Sequence, residues 1–334
     1  MNVGTAFMAA CALAGAGLLA TSGTVLAQPA EQRTVSSDGS ALAEPAPQRV
    51  VSGASFEGAW GAGTAPDAKA EFRAMTLSPA EYAAFSQRFQ AKRPPYVRGG
   101  TAVRPETVIG RDRRFRVYPR ESGFPYRAIG LMTYSQAGSS YFCTGFLIGK
   151  DTVVTAGHCV HEGGAGGTWS YDVKFYPAFN AGTAPFGSCS ARRLFAVARW
   201  TEAGSEEYDY GAFKLNCAIG ETTGWLGYYP TLASQAGLSV LLMGYPGDKP
   251  YGTLWGGAGH IVVSEARKTR YGIDTGGGQS GAPVLEADRG ASLADCFGTC
   301  AVAIHTYGEF DGTNSGTRIT YSVADHLTAW RNAP

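Results

Sequence analysis

The chain predicts an all-β fold of antiparallel barrels or a sandwich, preceded by a long leading segment. Glycine accounts for 46 of the 334 residues, about twice average usage. Helix interiors tolerate glycine poorly, so a helical bundle is disfavoured. From about residue 107, short β-type runs alternate with glycine-rich turns at the spacing of barrels and sandwiches. Helical periodicity is confined to two short stretches, one on each side of this β region. The length calls for one large domain with extra segments or for two domains. No internal repeat of about 20 to 50 residues is visible. Hydrophobic residues make up 44% and charged residues 16%, so the chain is not globally disordered. Lys and Arg number 28 against 27 Asp and Glu, a net charge of +1 that argues against a nucleic-acid partner held by bulk electrostatics.

Residues 1 to 27 read as a secretory signal peptide. No charged side chain occurs before Glu31, Ala6 to Ala20 is apolar and small, and Val25-Leu26-Ala27 fits the small-x-small pattern before a signal-peptidase cut. A membrane-spanning helix needs about 20 continuous apolar residues, and Thr21, Ser22, Gly23 and Thr24 interrupt this one. A secreted, extracellular product with no membrane attachment after signal removal is expected. Cysteine usage agrees. Cys11 lies in the signal, and the remaining six (Cys143, Cys159, Cys189, Cys217, Cys296 and Cys300) suggest three disulfides in an exported chain. No CxxC pair or repeated knuckle is present, so no metal is expected.

Residues 28 to 106 read as a pro-segment. Residues 28 to 68 are rich in Ala, Gly, Ser and Pro without a sustained period, the texture of a flexible linker. Ser78-Pro79-Ala80-Glu81 then forms a capping box with proline at the first helical position. Tyr82, Phe85 and Phe89 follow at helical spacing, and Pro94-Pro95 would stop the helix. Residues 70 to 93 thus form a short amphipathic unit able to pack on the later domain. That domain, residues 107 to 334, carries β-type runs at Tyr141-Phe142, Phe146 to Ile148, Thr152 to Thr155, Val173 to Tyr176, Gly211 to Leu215, Val240 to Met243 and Ala301 to Ile304. A last helix signal has Ser322 as its cap, Asp325 three residues on, and Val323, Leu327 and Trp330 on one face.

Three local patterns carry chemistry. Thr155-Ala156-Gly157-His158-Cys159 directly follows a β-run, where small residues let a histidine face a cleft. Tyr208-Asp209-Tyr210-Gly211 precedes another β-run. Gly276-Gly277-Gly278-Gln279-Ser280-Gly281-Ala282-Pro283 surrounds one serine with glycines, which allow a tight turn and let backbone N–H groups converge where an oxyanion would form. A serine hydroxyl is a poor nucleophile at neutral pH. It needs a base for its proton, and the base needs an acidic partner to fix its tautomer. His158, Asp209 and Ser280 supply those types. Asp172 is a rival acid only 14 residues past His158, whereas Asp209, 51 residues on, leaves chain for the intervening strands. A metalloprotease and a P-loop are disfavoured: Gly163, Gly164 and Ala165 follow His161-Glu162, so HExxH is absent, and Gly244 to Lys249 lacks the GKS/T spacing.

The motifs TAGHC, DYG and GQSGAP resemble chymotrypsin-like serine endopeptidases, most nearly the bacterial glutamyl endopeptidase branch, which cuts after Glu. The resemblance covers Thr107 to Trp330. It implies two six-stranded antiparallel β-barrels with a C-terminal helix, and a monomeric hydrolase of proteins or peptides that needs no cofactor. It implies His158 as general base, Asp209 as its orienter, Ser280 as nucleophile, and the N–H groups of Gly278 and Ser280 as the oxyanion hole. A cystine bracketing the catalytic histidine would join Cys143 to Cys159. Cys296 and Cys300 would close a small loop, leaving Cys189 with Cys217.

The same resemblance lines the first specificity pocket with Asp274-Thr275 and with Ile304 to Gly308. It suggests that Thr275 and His305 bind a substrate carboxylate, with Thr306 beside them. A hydroxyl donates to a carboxylate, and an imidazole donates to it or pairs with it when protonated. Asp274 is the competing residue: facing the pocket, it would select Lys or Arg instead. The sequence Glu106-Thr107-Val108-Ile109-Gly110 resembles a mature start, and a cut after Glu106 would suit an enzyme that prefers Glu. The new ammonium on Thr107 would then help form the acid site, and the pro-segment would be a partner of its own domain. A catalytically silent binding relative remains the non-enzyme alternative.

Overall fold

The computed structural model describes residues 33–42, 73–91, 104–118, 120–287, 300–309 and 311–334. The expected signal peptide lies outside them, and among the described residues no helix is long and apolar enough to cross a membrane.

Two antiparallel barrels are built from twelve strands. The first holds β1 (Ile129–Gln136), β2 (Ser139–Leu147), β3 (Thr152–Thr155), β4 (Tyr171–Pro177), β5 (Cys189–Val197) and β6 (Gly211–Leu215). Its order is β4-β1-β2-β3-β6-β5, and pairing of β5 with β4 closes it. The second holds β7 (Ser239–Gly244), β8 (Trp255–Ser264), β9 (Lys268–Tyr271), β10 (Pro283–Glu286), β11 (Cys300–Gly308) and β12 (Asn314–Arg318). Its order, β7-β8-β9-β12-β11-β10, repeats that of the first barrel and is likewise closed, by β10 against β7. The duplication is one of topology, which explains why no sequence repeat announces it.

Closure removes the exposed strand edges that an open sheet would leave. The barrel interiors are filled by side chains rather than by a channel. Val240, Leu242, Ile261, Tyr271, Ile273, Val284 and Val302 pack the second barrel, while Phe146, Val154, Phe175, Phe195 and Phe213 belong to the larger core of the first. The disulfides Cys143–Cys159 and Cys189–Cys217 both tie down the first barrel. Cys300 is also disulfide-bonded, and Cys296 lies outside the described residues.

The leading segments pack on this framework. Helix α1 (Pro79–Arg88) has the expected capping box: the Ser78 hydroxyl accepts from the Glu81 N–H, and the Glu81 carboxylate accepts from the Ser78 N–H. Phe85 of α1 sits among Tyr176, Phe179 and Tyr251, with ring centroids 5.7 Å from each. Helix α1 ends at Arg88, ahead of Pro94, and Gln90–Ala91 runs parallel beside Tyr141 and Phe142 of β2. The flexible-linker reading of residues 28 to 68 is corrected for its described part. Thr34–Ser36 is a strand paired with Phe195 to Val197 of β5, and β5 supplies the ladder that composition did not reveal.

Two further expectations change. Helix α2 (Tyr321–Asn332) is capped by Thr320, whose hydroxyl accepts from the Val323 N–H; Ser322 lies inside the helix. Thr320 has the extended backbone a cap needs, and with Val323 at the third helical position no capping box forms. Strand β12 (NSGTR) carries no run of β-branched or aromatic residues, and β8 (WGGAGHIVVS) has one, Ile261 to Val263, only in its second half; both are held by neighbours on both sides.

Candidate active site

Register explains why His158 and Asp209 meet. Thr155 of β3 lies opposite Gly211 of β6, and Thr152 opposite Lys214. The chain leaving β3 and the chain entering β6 therefore emerge side by side at one end of the first barrel. His158 lies in the helical turn Gly157–Val160, and Asp209 follows the turn Glu206–Tyr208. Gly157 permits the approach, since a Cβ there would stand 2.8 Å from Asp209 Oδ1. Asp209 Oδ1 accepts from the His158 backbone N–H at 2.7 Å, and Oδ2 lies 2.7 Å from His158 Nδ1. The Tyr307 hydroxyl donates to the same Oδ2. Both members of the pair are wholly buried. A carboxylate held this way keeps a hydrogen on Nδ1 and leaves Nε2 able to take a proton.

Ser280 lies in the turn that leads into β10. At Gly281, with φ +85°, a Cβ would overlap the Thr144 carbonyl and the Thr155 hydroxyl; at Gly278, with φ +99°, it would overlap the Phe142 ring. Only glycine meets both demands without strain. The turn is clasped from both barrels. From β2, the Thr144 N–H donates to the Ser280 carbonyl at 2.9 Å, and the Thr144 hydroxyl donates to the Gly278 carbonyl at 2.9 Å. On β11, the His305 carbonyl accepts from the Gly281 N–H at 2.8 Å, and the His305 N–H donates to the Ala282 carbonyl at 2.9 Å. Ser280 thereby stands at the seam between the barrels.

The hydroxyl of Ser280 donates to Glu106 Oε1, and His158 Nε2 has no hydrogen-bond partner. The serine proton is thus directed toward the leading segment and away from the histidine. Glu106 is buried, and burial pushes its carboxyl above the usual range against the pull of the Ser280 hydrogen bond. Two residues earlier, Arg104 pairs antiparallel with Gly308 at the end of β11, whose N–H donates to the Arg104 carbonyl at 3.1 Å.

The candidate pocket residues are all buried. Thr275 donates its N–H to the Thr107 carbonyl at 3.1 Å, while its hydroxyl and that of Thr306 have no partner. His305 Nδ1 lies 2.7 Å from the Tyr271 hydroxyl and 3.0 Å from the Ser315 carbonyl; its Nε2 has no partner. Burial pulls the His305 pKa down to about 3, so the ring is neutral at ordinary pH. Asp274 faces elsewhere. Its Oδ1 accepts from the Ile109 N–H at 2.7 Å and its Oδ2 from the Arg113 N–H at 2.8 Å. Sequence reasoning did not single out Thr144, Tyr271 or Asn314, and it named Tyr307 only within the pocket run Ile304 to Gly308. Asn314 Oδ1 accepts from the Thr107 N–H at 3.0 Å, and its Nδ2 donates to the Thr107 carbonyl at 2.7 Å. Nothing local marks these residues, because each acts only through pairing with a distant strand.

Residues 119–330 match the Trypsin family. A glutamyl endopeptidase of Bacillus licheniformis is 43% identical over 230 residues, which is 68% of this chain and 70% of that protein. An extracellular metalloprotease of Bacillus subtilis is 40% identical over 233 residues, 69% of this chain and 71% of that protein. A solved Glu endopeptidase in complex with MPD superposes with a TM-score of 0.59 at 27% identity, covering 68% of this chain and 100% of that one. The chain belongs to the trypsin family of chymotrypsin-like serine proteases. It is a serine endopeptidase of the glutamyl endopeptidase type. A metal-binding reading of the second relative's name finds little in the site. Cys143, His158 and Cys159 cluster closely enough to suggest ligands, but the two sulfurs are bonded to each other and His158 Nδ1 faces Asp209.

Proposed function

We propose that this chain is the precursor of a secreted endopeptidase that cuts peptide bonds after glutamate by an acyl-enzyme route. One observation carries the acidic preference. A glutamate of the chain itself, Glu106, lies buried against Ser280, close enough to His158 and Asp209 for their charges to bear on its carboxyl. Thr275 Oγ1, Thr306 Oγ1 and His305 Nε2 meanwhile stand buried without partners, and an unpaired buried donor gains most from a carboxylate. The Ser315 carbonyl beside Nδ1 can only accept, so the neutral His305 ring keeps its hydrogen on Nδ1, and a bound carboxylate is what draws a proton onto Nε2 and pairs with it. Asp274, the residue that would reverse the preference, has both oxygens engaged with residues 109 and 113.

In this reading Ser280 attacks the carbonyl after the bound glutamate while His158 Nε2 takes its proton and Asp209 stabilises the imidazolium. The oxyanion rests against the N–H groups of Gly278 and Ser280. His158 returns the proton to the leaving amine, and water then hydrolyses the acyl-enzyme. Residues 28–106 act as a pro-segment that is a partner of its own domain. A cut after Glu106 withdraws the carboxyl from Ser280 and frees the hydroxyl for His158. It also turns the Thr107 nitrogen, now 3.0 Å from Asn314 Oδ1, into an ammonium next to Thr275, where it favours an acidic side chain.

The test is to express the full chain, let it mature, and profile it on a mixed peptide library and with a serine-directed fluorophosphonate. Cleavage after Glu and stoichiometric labelling are expected, both lost in Ser280→Ala with folding intact. His305→Leu should lower cleavage after Glu far more than it lowers thermal stability. Cleavage after Lys or Arg would move the preference to Asp274, and a folded wild-type chain that takes no label would make it a binding protein instead.

A further inference from the structure

We propose that Tyr307 is a positioning residue for the catalytic pair, fixing the Asp209 carboxylate of the first barrel to the strand of the second barrel that clasps the serine turn. The inference rests on the Ser-His-Asp reading of the site and goes beyond it.

Asp209 is wholly buried, and a buried carboxylate requires donors. Its side-chain oxygens receive the His158 N–H, the His158 Nδ1 hydrogen and the Tyr307 hydroxyl. The first two come from His158 itself. They orient carboxylate and imidazole relative to each other and leave the pair free to shift as a unit against Ser280. Tyr307 supplies the missing constraint, because it belongs to β11. Two residues before it on that strand, the His305 carbonyl and N–H hold Gly281 and Ala282, the two residues that follow Ser280. A second cross-barrel bond, from the Thr317 hydroxyl of β12 to the Asp209 carbonyl at 3.0 Å, fixes the backbone but not the carboxylate.

The local structure aims the phenol. The pairing of β11 with β12 slips between His305 and Tyr307, so that His305 lies opposite Gly316 and Tyr307 opposite Ser315. Such a bulge re-aims the side chain that follows it. The Tyr307 ring stacks near that of His158, centroids 5.9 Å apart at 29°. Its other neighbour is the Lys268 ammonium, 5.2 Å from the ring centre and itself paired with Glu309 at 2.8 Å. Burial and the nearby Asp209 charge hold the phenol far from ionisation, so it stays a donor. The titratable groups around the Tyr307–Asp209 contact are His158, Tyr134 and Glu206 on the first-barrel side, Lys268, Tyr271, His305 and Glu309 on the second, and Glu106 in the leading segment. Removing one oxygen from Tyr307 leaves all of these in place.

Loss of the donor concentrates negative charge on Oδ2. Asp209 then pairs more strongly with the imidazolium that forms when the serine proton is taken. The experiment compares wild type, Tyr307→Phe, and the chain carrying a difluorotyrosine at 307, all matured from full-length protein and normalised to fluorophosphonate-titrated active sites. Tyr307→Phe should lower kcat about tenfold, the loss of one hydrogen bond to a charged group, with KM little changed. Its acidic limb of kcat/KM should move to higher pH. The fluorinated phenol, a stronger donor, should move that limb to lower pH while keeping kcat near wild type. A limb that stays in place in both variants overturns the proposal, whatever happens to kcat, because looser packing alone does not displace a titration in opposite directions. Stoichiometric labelling of Ser280 in every sample separates that outcome from failure of the Ser-His-Asp reading, which would abolish labelling throughout.

Discussion

Replacing Asp274 by alanine separates the two roles this carboxylate offers. Its side chain is 1% exposed and accepts two backbone N–H groups, from Ile109 at 2.7 Å and Arg113 at 2.8 Å. A hydrogen bond to a charged group contributes about 1.5–3 kcal/mol, and leaving a buried donor unsatisfied costs a similar amount. The Arg113 guanidinium, 3.5 Å away and 65% exposed, adds little. Water entering the vacated space offsets part of the loss, so about 3 kcal/mol is expected for the pair. For a domain of this size that corresponds to a fall in Tm of roughly 6–12 °C. Melting is measured in a Ser280→Ala background, which prevents self-digestion, at one scan rate. In the active background, the ratio of kcat/KM for glutamyl over arginyl peptides should be unchanged. A Tm close to wild type together with altered cleavage after Lys or Arg would refute the reasoning and make Asp274 a pocket residue.

Other consequences follow from contacts described above. In Glu106→Gln the amide oxygen can still accept from Ser280, whereas in Glu106→Ala nothing does. With neither variant offering a cut after Glu, the alanine chain should react with a small fluorophosphonate about tenfold faster, and equal rates would argue against the diversion of the hydroxyl. His161 accepts the Gly163 N–H at 3.0 Å, and burial lowers its pKa from 6.5 to about 4. Between those values the unfolded chain takes up a proton that the folded chain refuses. Stability is therefore full above pH 6.5 and falls as the pH drops toward 4, and His305, at about 3, adds to the same slope. Melts of Ser280→Ala at pH 7 and pH 4.5 should show the fall, and His161→Gln should shrink it; an unchanged slope in that variant would contradict the assignment.

Much of the site is legible from short stretches of chain because its chemistry is local in type. A histidine after a β-run, an aspartate before one and a serine among glycines name their own capabilities. The turn around Ser280 could be anticipated because positive φ at Gly278 and Gly281 demands glycine whatever surrounds it. The capping box of α1 was equally visible, since its hydrogen bonds span three residues. Strand β12 was not visible, because it is a strand by virtue of its ladder partners rather than its side chains.

Residue types and spacing were therefore enough to specify a β-rich hydrolase with His158, Asp209 and Ser280 as candidates, and to leave open whether Asp274 faced the substrate. Folding alone assigned Asp274 to the anchoring of residues 109 to 113, turned the Ser280 hydroxyl to Glu106, and brought Tyr307 to Asp209 across 98 positions of sequence. The difference is physical. Backbone preferences and side-chain reactivity are encoded within a few residues, whereas the direction of a hydrogen bond between two barrels is set by strand registers that no short segment contains.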